Sequence, residues 1–192
     1  MESLGTLRRL RDVLSCRPVH SPSPLPMSRL EGFPPVAAPG AHTLILGSMP
    51  GAASLAAVEY YAHRRNLFWP ILGEVLGIDP ALPYAERTRR LAEAGYALWD
   101  VLGACRRHGS LDSNIQNDSI EVNDFAIFFA THPSIDRVFC NGAAAEQCFR
   151  RHVLPRLEGR FEFDVRRLPS TSPANASIPY AAKLEAWGEI AR

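Results

Sequence analysis

Lysine is almost missing from this chain: Lys183 is the only one among 21 basic residues, and all the others are arginine. A GC-rich coding sequence explains that bias most simply, but the consequence holds whatever the cause. Any mechanism that forms a Schiff base on an internal lysine must use Lys183 or be excluded. A surplus of either charge is missing too. The balance of 21 basic and 20 acidic residues gives a net charge of +1, which excludes a protein that grips nucleic acid by bulk charge and leaves a local basic face open. Long apolar runs are absent: the best candidate, Asp124 to Ala130, is far short of the roughly 20 residues a membrane helix needs. No membrane partner is expected. Four cysteines (Cys16, Cys105, Cys140 and Cys148) show neither CxxC nor zinc-like spacing. They read as unpaired thiols in a reducing cytosol, and no metal or other cofactor is expected. No secretory pattern opens the chain, so a cytoplasmic location is the expectation.

What is present suits one soluble domain: 192 residues, 46% hydrophobic and 21% charged. Residues 1–41 differ from the rest. An arginine-rich stretch is followed by Pro18, Pro22, Pro24, Pro26, Pro34, Pro35 and Pro39, a density that opposes packed helix or strand. These residues are expected to form a flexible leader before a domain over residues 42–192. Met27 is a plausible alternative start, and Phe33-Pro34-Pro35 could still pack onto the domain.

From His42 onward, strand-like and helical runs alternate. Thr43 to Leu46, ending at Gly47, is short and continuously apolar, as in a strand buried on both faces. Tyr96–Leu102, Arg137–Asn141 and Phe161–Leu168 read as three more strands. Helical patterns fall at Leu67–Leu76, Tyr84–Ala94, Val122–His132, Ala143–Leu157 and Tyr180–Ala191. Such alternation predicts a three-layer α/β/α sandwich around a central, mainly parallel four-stranded sheet. Ligands in that architecture sit beyond the carboxyl ends of the strands. Those ends are Gly47-Ser48-Met49-Pro50-Gly51, Asp100, Asn141-Gly142 and Pro169-Ser170-Thr171-Ser172-Pro173.

Alone, the Gly47–Gly51 turn is a common loop. It is followed, however, by Tyr60-Tyr61-Ala62-His63-Arg64-Arg65-Asn66-Leu67-Phe68-Trp69, and the fourth strand runs into Leu168-Pro169-Ser170-Thr171-Ser172-Pro173-Ala174-Asn175-Ala176. Together these segments resemble the uracil-DNA glycosylase superfamily, including its mismatch-specific branch. Met49, Leu98-Trp99-Asp100 and Gly109-Ser110-Leu111-Asp112 fit the hypoxanthine-DNA glycosylase branch. The resemblance spans Phe33 to Trp187, with its motifs in order. It implies a monofunctional, monomeric enzyme that flips a deaminated base out of DNA and hydrolyses its glycosidic bond. Hypoxanthine leads among the bases, with uracil and xanthine as alternatives.

The resemblance also assigns roles. Tyr61 falls where an aromatic stacks on the flipped base; its alternative is a core position beside Phe68 and Trp69. The mismatch-specific branch positions water with an asparagine where this chain has Met49, which can neither orient nor activate water. The task passes to Asn66, which could equally cap the following helix. Asp100 and Asn141 stand where base edges are read: a carboxylate accepts from N1–H, and an amide pairs with a donor and an acceptor. Their alternatives are a salt bridge to Arg106 or Arg107 and a turn before Gly142. Gly47, Ser48, Met49, Pro50 and Gly51 complete the expected substrate contacts. Ser170, Thr171, Ser172 and Asn175 are expected to meet DNA phosphates, with Arg64, Arg65, Arg106, Arg107 and His108 as a positive rim. A leucine wedge expected after the second motif is replaced by Ser172.

Two other readings compete. A serine hydrolase would need Ser48 or Ser170 with His132 and Asp100, but the turn lacks the G-x-S-x-G elbow. A catalytically inactive DNA-binding member of the same fold would follow from Met49. The composition of the leader yields the first expected outcome. Removing residues 1–26 leaves activity and melting temperature unchanged. Thermal denaturation checks this: a loss of about 1 kcal/mol or more lowers the midpoint of a domain this size by several degrees.

Overall fold

The computed structural model describes residues 29–157, 159 and 161–192. Residues 1–28, which include Cys16, Met27 and most of the proline-rich stretch, lie outside the described residues.

In chain order the elements are β1 (Arg29–Glu31), β2 (Thr43–Gly47), α1 (Ala52–Ala57), α2 (Phe68–Leu76), α3 (Tyr84–Glu93), β3 (Tyr96–Asp100), β4 (Leu102–Arg106), β5 (Glu121–Val122), α4 (Phe125–Thr131), β6 (Arg137–Asn141), α5 (Ala143–Cys148), α6 (Leu154–Leu157), β7 (Asp164–Leu168) and α7 (Tyr180–Trp187). The central sheet has the order β3-β2-β6-β7, and every pairing in it is parallel. Helices flank it, giving the three-layer α/β arrangement read from the alternation. Every residue of β2 and β3 is buried, as expected of strands covered on both faces. Among the helices, α2 meets α7 through the Phe68 and Trp187 rings, 5.7 Å apart and edge to face. A cluster of Phe125, Phe128, Phe129 and Phe149 joins α4 to the π-turn at Phe149–Val153 that links α5 to α6.

Several boundaries differ from expectation for physical reasons. The strand expected over Tyr96–Leu102 leaves the central sheet at Asp100. From Leu102 the chain pairs in a second sheet of order β1-β4-β5, antiparallel throughout. Both sheets bury Val101 and Leu102, so the apolar run carries no mark of the change in partner. The helix expected over Ala143–Leu157 is interrupted by the π-turn, just before Pro155 removes a helix donor. Asp124 starts α4 three residues later than expected, because its carboxylate caps the Ile127 N–H at 3.0 Å. The strand expected from Phe161 begins at Asp164.

The Phe33 segment packs onto the domain. The Phe33 carbonyl accepts from Trp99 Nε1 at 3.0 Å, its ring meets Tyr60 edge to face at 5.3 Å, and Val36 bridges to Leu98. Residues 29–41 therefore form part of the packed structure, and the expected boundary at residue 41 falls inside it.

Candidate active site

Parallel pairing brings the carboxyl ends of all four central strands to one edge. In the β2–β3 register, Gly47 stands opposite Asp100. A Cβ on Gly47 would lie 2.0 Å from Asp100 Oδ1 and 3.0 Å from the Tyr61 hydroxyl. Only glycine lets the carboxyl and the phenol occupy that space. Asp100 is 4% exposed, and its Oδ2 is buried with no hydrogen-bond partner. The Tyr61 hydroxyl is buried and unbonded as well.

The segment carrying Tyr61 is held from several sides. The Tyr60 N–H donates to the Tyr84 hydroxyl at 3.0 Å, Trp69 Nε1 donates to the Tyr60 carbonyl at 2.9 Å, and the Ala62 N–H reaches Ser54 Oγ at 3.2 Å. These bonds hold Tyr61 at φ 57°, a left-handed conformation that costs a non-glycine residue about 1–2 kcal/mol. The ring stacks on Phe68 with centroids 4.0 Å apart, so one face is backed by the core. The core contact with Phe68 is thus present, and the residue also lines the pocket.

Asn66 caps helix α2 by an unexpected geometry. Its Oδ1 accepts from the Phe68 N–H at 3.0 Å, and its own N–H donates to the His63 carbonyl at 2.7 Å. The helix begins at Phe68 rather than Leu67, and the Leu67 N–H donates across to the Thr171 carbonyl at 3.0 Å. That bond joins the first motif to the loop after β7. Asn66 also lines the pocket.

On the far side, Asn141 and Thr171 exchange two bonds of 2.9 Å each: Asn141 Nδ2 donates to Thr171 Oγ1, and the Thr171 N–H donates to Asn141 Oδ1. Asn141 borders the pocket, and each of its amide atoms spends one bond on Thr171. Thr171 is fully buried and cannot meet a phosphate. Asn175 donates to the Ser170 carbonyl, while its own carbonyl accepts from Lys183 Nζ at 2.7 Å. The expected phosphate contact at Thr171 is therefore a brace for the loop, while Asn175, which also braces it, stays partly exposed. Ser170 and Ser172 remain at the pocket. Lys183 is 1% exposed beneath this loop.

The Gly47–Gly51 turn lines the pocket throughout, Met49 included. A loop that the sequence suggested only through its Gly109-Ser110-Leu111-Asp112 spacing completes the wall. Ser110 Oγ accepts from the Ala52 N–H at 3.0 Å, and Ser48 Oγ donates to Asp112 Oδ2 at 2.8 Å. Arg107, expected on the rim, has a wholly buried side chain. It donates to the Pro50 carbonyl at 2.5 Å and the Gly109 carbonyl at 3.1 Å, and it approaches Asp112 at 3.6 Å. Neither Arg106 nor Arg107 forms a salt bridge to Asp100 among the described residues. Arg64, Arg65, Arg106 and His108 are exposed, and so is Leu111 between the two clamped residues. His132 bonds the Phe128 carbonyl and lies outside the pocket lining, so the hydrolase arrangement is not assembled.

Together these elements enclose about 150 Å³, a volume that elsewhere accommodates a benzene ring. Burial, reinforced by the Asp112 carboxylate and opposed by Arg107, pushes the Asp100 carboxyl up to about 8. Burial and then Asp100 push the Tyr61 phenol far above its ordinary range. Burial also raises Asp112, against its bond from Ser48 and the Arg107 charge.

No family model matches the chain. It is 38% identical over 113 residues to the hypoxanthine DNA glycosylase of Methanosarcina barkeri, covering 58% of this chain and 70% of that protein. It is 33% identical over 162 residues to the hypoxanthine DNA glycosylase of Methanosarcina acetivorans, covering 84% and 97%. A solution NMR structure of a protein from M. acetivorans, provisionally named a uracil DNA glycosylase, matches with a TM-score of 0.71 and 30% identity over 86% of this chain and 98% of that one.

The Asp100 environment sets a pH dependence. The folded carboxyl holds its proton to about 8 and an unfolded one to 3.8, so the native state binds more protons between these values. Stability relative to Asp100→Asn should therefore fall as pH rises from about 4 to about 8, by at most about 1.4 kcal/mol per pH unit, and level off above. Urea denaturation of both proteins across that range checks it. A constant difference would show that Asp100 is already ionised at low pH.

Proposed function

Since the chain belongs to the hypoxanthine branch of the uracil-DNA glycosylase superfamily, we propose that it removes hypoxanthine from DNA by hydrolysis and leaves an intact abasic strand. The observation that carries this reading is the pocket wall itself. A stacked tyrosine and an unpartnered buried carboxyl face a space of aromatic-ring size at the strand ends. A glycosylase needs those two features, because its substrate base must be pulled from the stack, held by its π-face and recognised by its polar edge.

Tyr61 supplies the face, backed by Phe68, and Asp100 meets the polar edge. Asn66 orients the attacking water. Its Oδ1 uses one lone pair for the Phe68 N–H and keeps another, while Nδ2 has no hydrogen bond to a described residue. An amide is a weak base, so the reaction depends on placing water against a sugar already developing positive charge. Met49 contributes an apolar floor in place of a second water-positioning amide. Ser170 and Ser172, with Arg64 and Arg65, are the proposed contacts to the DNA backbone. Lys183 is committed to the Asn175 carbonyl and does not line the pocket, which supports attack by water rather than by an amine. Borohydride should accordingly trap no covalent DNA adduct.

The decisive comparison is between Asn66 and Tyr61. Asn66→Ala should lower single-turnover release of hypoxanthine by roughly 100-fold or more, with little change in binding to an uncleavable duplex. Asn66→Asp keeps an acceptor for the Phe68 N–H, so it should fold normally and still lose rate. Tyr61→Ala should weaken capture of the base by about 1–3 kcal/mol, whereas Tyr61→Phe should be mild because the ring face survives. If Asn66→Ala keeps its rate and loses only about 1 kcal/mol of stability, the asparagine is a cap and nothing more. Duplex binding by the wild-type protein without release of any base would identify an inactive member of the fold.

A further inference from the structure

Asp100 is a buried acid in the pocket wall that forms no salt bridge among the described residues. Oδ2 has no hydrogen-bond partner among the described residues, and the two unpaired donors in this region, the Tyr61 hydroxyl and Arg107 Nη1, do not bond it. Arg107 serves Pro50, Gly109 and Asp112, and the Ser48 hydroxyl goes to Asp112. The Asn123 amide donates to the Asp100 main-chain carbonyl at 2.8 Å rather than to its carboxyl group. Asp112 places a second carboxylate close enough to oppose ionisation. An ionised carboxylate in this position would be desolvated with no hydrogen bond to Oδ2 and with the Arg107 charge set against that of Asp112, and proteins resolve that conflict by keeping the proton.

We propose that Asp100 engages the base as a neutral carboxylic acid and gives its proton to the departing base, acting as the general acid of the reaction. The proposal rests on the glycosylase reading and adds a proton-transfer role to it. A neutral carboxyl is a paired acceptor and donor. Hypoxanthine presents N1–H beside O6, so one oxygen accepts from N1–H while the protonated one donates to O6. As the C1′–N9 bond breaks, its electron pair passes into the purine, and O6 takes the Asp100 proton. The base leaves as its neutral 6-hydroxy tautomer. Water bonds to C1′ and loses a proton to solvent, and solvent returns a proton to Asp100. No metal or redox partner enters this balance.

The groups facing Asp100 are compatible with this role. They are Asp112 and Arg107 from the β4–β5 connection, Tyr60 and Tyr61 from the segment before α2, and Tyr84 from α3. Burial raises all three phenols, so they stay neutral near pH 7 and leave Asp112 and Arg107 as the only charges in play.

Single-turnover release of hypoxanthine from a deoxyinosine duplex between pH 6 and 9 tests the proposal. The wild-type rate should be flat at the acid end and fall about tenfold per pH unit above the Asp100 midpoint. Asp100→Asn retains an acceptor and a donor for the same edge but has no proton to transfer. It should bind a 2′-fluoro-deoxyinosine duplex as the wild type does, release base on the order of 100-fold more slowly, and lack the alkaline fall. A fall that persists in the variant belongs to the substrate's own N1–H and overturns the proposal, as does a variant with wild-type rate. Carbon-13 titration of the Asp100 carboxyl in wild-type protein gives a readout independent of activity. A midpoint above about 7 is expected, and one below about 5 overturns the assignment. Failure of the wild type to release any base would instead overturn the glycosylase reading on which this role depends.

Discussion

Gly47 and Asp100 are register partners, and the site is built around the missing side chain of the first and the carboxyl group of the second. The parallel pairing of β2 and β3 fixes where the two meet. The absent Cβ then opens the space into which Asp100 Oδ1 and the Tyr61 hydroxyl fit. A methyl group at residue 47 would have to move a buried carboxyl with nowhere better to go, and the displacement would reach Tyr61 and the face it presents. One backbone register thus sets the positions of the groups proposed to read the base and to stack on it.

Around that pair, the pocket is closed by bonds that join distant parts of the chain. Leu67 donates to Thr171, Asn141 and Thr171 hold each other by two bonds, and Ser48 and Ala52 bind the loop at Asp112 and Ser110. Most of these polar groups serve one another. What they leave free is correspondingly informative: among the described residues, Asp100 Oδ2, the Tyr61 hydroxyl and Arg107 Nη1 are buried without hydrogen-bond partners, and the first two belong to residues that line the pocket. In a wall so thoroughly satisfied, such atoms mark where a ligand completes the network.

Much of this was legible in the residues. Continuous burial of β2 and the alternation after it were enough to place four parallel strands and to locate the site at their ends. Local pattern could not show which side chains would be consumed in building the loops. Thr171, Asn141 and Arg107 are polar residue types that suit contact with DNA, and each is turned inward by a partner far away in sequence. The left-handed backbone of Tyr61 is invisible for the same reason, since it follows from bonds to Ser54 and Tyr84 rather than from its neighbours. The second sheet escaped because β1 and β5 are only three and two residues long, and the Val101-Leu102 run is equally apolar in either sheet.

The single lysine has a consequence beyond the reaction. Lys183 is 1% exposed, and its ammonium is bonded to the Asn175 carbonyl, so no lysine amine is available on the surface. The positive charge there is carried by guanidinium groups, which hold it at any physiological pH and are not neutralised by acetylation. Attraction between this surface and a phosphate backbone can thus be tuned by salt, but lysine acetylation has no exposed group on which to act.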